Sequence, residues 1–144
     1  FTDKVAYYEG NPYQYLINLA KMAQKDGVIK GILLHQGESN TGDEAWPSYV
    51  MKIYNDMVND LSLSRESVPL LAGEVLQTGN NCCEKMNPII NKLPQVMPNA
   101  YIISSEGCEG LDYAHFTSEG YRIIGKRYAK QMLTLMGYSM CTPK

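Results

Sequence analysis

Val28-Ile-Lys-Gly-Ile-Leu-Leu34 runs directly into the polar string His35-Gln-Gly-Glu-Ser-Asn40. A short aliphatic, β-branched run of this kind is the signature of a strand buried on both faces. Its abrupt break into a glycine-containing polar turn marks the strand's carboxyl end. On each side of it the sequence changes period. Upstream, Asn11-Pro12 supplies an N-cap and a first helical position, and Leu16, Leu19, Ala20 and Ala23 recur at helical spacing up to Gly27. Downstream, Trp46-Pro47 opens a second helix whose apolar stripe is Val50, Ile53, Tyr54, Met57 and Leu61.

The alternation continues to the end of the chain. Val68 to Leu76 is a second strand. Asn87-Pro88 begins a short helix reaching about Leu93, and Tyr101 to Ser104 is a third strand. Thr117 caps a last helix striped by Tyr121, Ile124, Tyr128, Met132 and Leu135. Strands alternating with helices predict a parallel sheet flanked by helices, because parallel neighbours need crossover connections. The expected fold is therefore α/β, with residues 1–144 as a single domain. Three strands make a small sheet for this class, and the first helix has no clear strand before it. One or two strands upstream of Phe1 are accordingly expected.

Composition excludes some partners. The formal net charge is -2 over 144 residues, and no Lys/Arg block exceeds a dipeptide. A nucleic-acid surface needs a basic patch, so that class is disfavoured. No apolar run approaches the roughly 18 residues of a membrane span. The 11 tyrosines and single tryptophan lean toward a protein that handles carbohydrate, with Trp46 and tyrosines available to line a sugar cleft. The helix-stripe residues Tyr54 and Tyr128 are expected in the core instead. Cysteines stand at 82, 83, 108 and 141, in no zinc-binding spacing. A bridge between the neighbours Cys82 and Cys83 is disfavoured by geometry. Free thiols, or bridges to Cys108 or Cys141, are the alternatives.

Two strand-end segments carry the candidate chemistry. In open parallel sheets, function gathers at the carboxyl ends of strands. There Gln36 offers an amide NH2 suited to stabilising an oxyanion, Gly37 allows a sharp turn and close backbone approach, and Glu38 is placed to brace neighbouring loops. The second segment is Asp112-Tyr-Ala-His115. Its spacing lets the carboxylate fix the tautomer of the imidazole, leaving the other ring nitrogen to accept a proton from a serine hydroxyl. Read blandly, the same residues are a capping Asp and a surface His.

Taken together, Gly31-Ile-Leu-Leu-His-Gln-Gly-Glu-Ser-Asn-Thr41, Val68-Pro-Leu-Leu71 and Asp112-Tyr-Ala-His-Phe-Thr-Ser-Glu-Gly-Tyr121 resemble the SGNH hydrolases. Within them the chain is most similar to carbohydrate esterase family 6 (the acetylxylan esterase-like enzymes) and the related sialate O-acetylesterase-like proteins. The resemblance implies a three-layer α/β/α sandwich around a parallel sheet. It implies that Asp112 and His115 are the acid and base of a Ser-His-Asp triad and that Gln36 is the oxyanion donor. Glu38 and Gly37 would support the site. No metal or organic cofactor is implied.

One part of the family pattern is missing. The nucleophile block, Gly-Gln-Ser-Asn, does not occur before Leu16. The domain is therefore expected to be N-terminally incomplete, with the serine on an upstream segment or a companion chain. An alternative puts the nucleophile at Ser39, since Gly37-Glu-Ser-Asn40 resembles a Gly-x-Ser-Asn turn. A third reading is a non-catalytic, carbohydrate-binding scaffold. The implied substrate is an acetylated carbohydrate, with no nucleic acid or membrane partner, and the implied location is secreted or periplasmic.

Overall fold

The computed structural model describes residues 6–8, 10–77 and 82–139. Helix α1 (Pro12–Ala23) leads to strand β1 (Ile32–Leu34), and a 3-10 turn follows at Glu38–Asn40. Helix α2 (Trp46–Asp60) leads to β2 (Leu70–Gly73) and a second 3-10 turn at Glu84–Met86. The short helical turns α3 (Asn87–Ile90) and α4 (Leu93–Val96) precede β3 (Ala100–Ile103), and α5 (Ser118–Leu135) closes the described chain. The three strands form one parallel sheet in the order β1-β2-β3. The α/β expectation holds, with layers of helix on both faces of the sheet.

Each face has its own core. Trp46, Val50, Tyr54 and Val58 of α2 pack with Met86, Ile89, Ile90 and Leu93 against Leu70 and Ala72. On the opposite face Ile124 and Tyr128 of α5 pack with Phe116 and Cys108 against Leu71 and Ile103. Alternate residues of β2 thus feed alternate cores, as the two-residue period of a strand requires. All four residues of β2 are buried, which explains its unbroken apolar sequence. Tyr54 and Tyr128 lie in the core as expected.

Several local expectations are corrected. The first strand is only Ile32–Leu34, and Val28 is exposed. Helix α1 ends at Ala23 rather than at Gly27, its backbone passing there into i→i+3 turns (Lys25 N–H to the Met22 carbonyl and Asp26 N–H to the Ala23 carbonyl, both 3.1 Å), and the Gln24 side chain reaches the carbonyl of Leu61 at 2.9 Å. Its buried position is Ile17, while Leu16 and Leu19 are about half exposed at 47% and 46%. The helix docks through the row Tyr13, Ile17 and Gln24, with the Tyr13 hydroxyl donating to Asp60 at 2.7 Å. The segment read as one helix from Asn87 is two separate turns, α3 and α4. The amide of Asn87 is spent on the N–H and C=O of Val75 at 2.8 and 2.9 Å.

The cysteines also differ from expectation. Cys82 and Cys83 are bonded to each other, and Cys108 is a buried free thiol. Cys141 lies outside the described residues. Trp46 is 2% exposed, so its ring is core and not an open stacking platform.

Candidate active site

Gln36 follows the last residues of β1, and its amide is fixed at both ends. The Trp46 indole N–H donates to its Oε1 at 2.7 Å, and its Nε2 donates to Asn40 Oδ1 at 2.8 Å. An indole nitrogen only donates, so the assignment of oxygen and nitrogen in the Gln36 amide is settled by its partner. One of the two NH2 hydrogens remains uncommitted to these bonds. An amide held in this way has one N–H to spare and can donate it without reorienting.

Gly37 plays a different part from the one its sequence suggested. Its φ of 169° is ordinary extended backbone. A Cβ there would meet Met86 at 2.9 Å, Val75 at 3.1 Å and Ile90 at 3.2 Å. The glycine is required because the loop presses against the core beneath it. Glu38 acts through its backbone carbonyl, which accepts from the Thr41 hydroxyl at 2.9 Å. Ser39 is exposed on the 3-10 turn. Among the described residues no hydrogen bond joins Ser39 or Gln36 to His115.

The second segment is a tight loop. At its base, the Gly110–Phe116 bridge and the Thr117 N–H to Glu109 carbonyl bond (2.9 Å) pin the two limbs. Within it the Leu111 N–H reaches the His115 carbonyl at 2.8 Å. Asp112 Oδ1 accepts from the N–H groups of Ala114 at 2.8 Å and His115 at 2.7 Å. The same carboxylate faces His115 Nδ1 at 2.9 and 3.0 Å. A carboxylate can only accept, so Nδ1 carries the proton and Nε2 of the neutral ring is left as a base. The Ala114 N–H, then the imidazole and the His115 N–H, hold the Asp112 carboxyl down to about 2. Asp112 is therefore ionised wherever the imidazole can work as a base. Both side chains are open to solvent, at 65% for His115 and 44% for Asp112.

The two segments are neighbours across the end of the sheet. The His35 ring meets the Phe116 ring edge-on at 5.6 Å between centroids. Partial desolvation pushes the His35 imidazole down in pKa, against an opposing pull from Glu38. The Tyr128 hydroxyl donates to the Leu34 carbonyl at 2.5 Å, tying α5 to the last residue of β1. Two contributors were not singled out from sequence. Glu74, just beyond β2, is 7% exposed and accepts from Asn91 at 2.7 Å, Gln77 at 2.5 Å and the Ser105 N–H at 3.0 Å. Its place directly after an all-apolar strand was the available signal. The other contributor is the Cys82–Cys83 pair, whose Cys82 N–H donates to the Tyr113 carbonyl at 2.8 Å.

The Asp112–His115 pair and the Gln36 amide thus lie at the carboxyl edge of a parallel sheet in an α/β fold. The fold is shared with a protein from Arabidopsis thaliana of known crystal structure, at a TM-score of 0.71 and 23% identity. The match covers 85% of this chain and 52% of that one, so the chain spans about half the length of its structural relative. The family profile described as "Carbohydrate esterase, sialic acid-specific acetylesterase" matches residues 3–134. The chain belongs to that family.

Proposed function

We propose that this chain carries the acid, base and oxyanion donor of a carbohydrate acetyl-ester hydrolase acting on sialate O-acetyl or xylan acetyl groups. Family membership supports the reaction class. The observation that carries the residue roles is the Asp112–His115 pair, with Nδ1 committed to the carboxylate and Nε2 left as the base. In the proposed mechanism His115 Nε2 takes the proton of a serine hydroxyl, and the serine attacks the acetyl carbonyl. Gln36 Nε2–H and backbone amides stabilise the oxyanion. His115 then protonates the departing sugar oxygen, and water releases acetate by the same route in reverse.

The serine, in this reading, comes from a segment outside these 144 residues or from a companion chain, and it enters along β1. Strand β1 pairs only with β2 among the described strands, and Leu33 on it is 63% exposed. Apolar hollows flank it on both faces. One, of about 450 Å³, is lined by Leu16, Ile32, Leu34, Trp46, Ile53 and Met57. The other, of about 400 Å³, is lined by Leu33, His35, Tyr128, Ala129 and Met132. An apolar strand added in parallel would send alternate side chains into the two hollows. Its carboxyl end would arrive level with His35 and Gln36. Ser39 is not favoured as nucleophile, because it has no hydrogen bond to the base.

Acetate release from O-acetylated sialic acid and acetylated xylan by the protein from its natural source tests this reading. It should be lost on His115→Ala. Undiminished release by that variant would remove His115 from the chemistry.

A further inference from the structure

We propose that the Cys82–Cys83 disulfide is a positioning element that straps the Asp112–His115 loop to the Gln36 loop. The inference deepens the esterase reading and rests on it for its catalytic meaning. Its structural content stands by itself.

The pair sits between the two loops that carry the candidate chemistry. Cys83 is 3% exposed and belongs to the core that includes Met86 and Ile90. Its Sγ lies 3.8 Å from the Glu38 carbonyl oxygen, in the Gln36 loop. Its own carbonyl accepts the Met86 N–H at 2.8 Å, and Met86 is the side chain pressed closest beneath Gly37. Cys83 is thus packed, through Met86, in the core beneath the Gln36 loop. Cys82 is exposed and faces the other way. Its N–H holds the carbonyl of Tyr113, the residue between Asp112 and Ala114, at 2.8 Å.

The rest of the Asp112–His115 loop is held by bonds within itself or at its base. Among the described residues, the Cys82 N–H is the hydrogen bond that ties the tip of this loop to another part of the molecule. A disulfide between neighbours closes a small ring around their shared peptide, and that ring restricts the torsions between the buried Cys83 and the Cα of Cys82, which carries the bonded N–H. Opening it frees both side-chain torsions and the intervening backbone. The orientation of His115 Nε2 relative to Gln36 Nε2 then loses its strap while the core stays packed. The chemistry balances with a dithiol as reductant. One thiolate attacks a disulfide sulfur to form a mixed disulfide, and the second thiolate displaces it. The reductant ends as a disulfide, and Cys82 and Cys83 end as two thiols.

The test is amide hydrogen exchange on the chain as isolated, after reduction with a dithiol, and in the C82S/C83S variant, with alkylation mapping of the cysteines in each state. As isolated, Cys82 and Cys83 should resist alkylation. Reduction should speed exchange at the Cys82 and His115 amides by about tenfold or more, leave Leu71 in β2 protected, and reverse on reoxidation. The variant should exchange like the reduced chain and ignore the reductant. In the active protein, reduction should lower kcat with KM little changed. Equal exchange at Cys82 and His115 in both redox states would overturn the proposal, as would alkylation of both cysteines without reductant. A redox effect on exchange in a protein that releases no acetate would leave the strap standing and sink the esterase reading instead.

Discussion

The indole N–H of Trp46, the first residue of α2, holds Oε1 of Gln36 at 2.7 Å and so turns the Gln36 NH2 toward Asn40, whose Oδ1 accepts from it at 2.8 Å. A buried core residue thereby orients a loop amide ten positions before it in sequence. Trp46→Phe keeps most of the apolar packing and deletes the donor. Acetyl-ester hydrolysis should fall with Trp46→Phe, less than with Gln36→Ala. Losing an oxyanion donor outright slows turnover by about 10²–10³-fold. Steady-state kinetics of the two variants check the order, and an unchanged rate in Gln36→Ala would remove the amide from the mechanism.

The Asp112 carboxyl gives a prediction in acid. Its pKa is lowered from 3.8 to about 2 by the Ala114 N–H first, then by His115. A depressed carboxyl stabilises the loop above its unfolded pKa and ceases to as pH falls through its folded one. The loop should therefore hold down to pH about 4 and lose this contribution progressively towards pH about 2. Carboxyl and amide shifts of Asp112, Ala114 and His115, followed by NMR, should move together with a midpoint near the lower end. A midpoint at the ordinary carboxylate value would show that these bonds do not form.

Tyr128 joins three elements. Its hydroxyl donates to the Leu34 carbonyl at 2.5 Å and lies against Gly73, while burial pushes its phenol up to about 12. Tyr128→Phe should cost about 1–3 kcal/mol by removing the donor to the Leu34 carbonyl. In the native protein the raised phenol pKa favours folding at neutral pH, and that advantage is lost as pH rises from about 10 through about 12. Urea unfolding of both forms at pH 7 checks the first expectation, and a difference within error would refute it.

Helix α2 ends in a turn whose left-handed position is occupied by serine. Ser62 has φ 52°, with Ser62 N–H on the Asn59 carbonyl at 3.1 Å and Leu63 N–H on the Val58 carbonyl at 2.9 Å. Glycine is preferred in this helix-ending motif because a Cβ is crowded in that backbone region. Ser62→Gly should stabilise the chain by about 0.5–1 kcal/mol after the added unfolded-state freedom of glycine is counted. Thermal unfolding should rise by about 2–4 °C. A lowered midpoint would count against the assignment of this turn.

The sheet and its helices were legible because strand and helix periods alternate cleanly, and buried parallel strands have little choice but to be apolar throughout. The Asp112–His115 contact was legible because the two residues are close in sequence and fold locally. What escaped sequence reading depended on long-range contacts. The docking face of α1 is set by Asp60 and Leu61 at the far end of α2, so Ile17 is buried where Leu16 and Leu19 were expected. Gly37 reads as a turn residue, yet its need is steric, imposed by Met86, Val75 and Ile90. The Cys82–Cys83 bridge was disfavoured by local geometry, and its tie to Tyr113 spans sequence that no local rule connects.

In the proposed mechanism His115 serves a serine other than Ser39. Fluorophosphonate labelling of the protein from its natural source, followed by peptide mapping, tests it most directly. One adduct is expected, on a serine outside Phe1–Lys144 and absent from the His115→Ala variant. An adduct on Ser39, or no adduct at all, would contradict it.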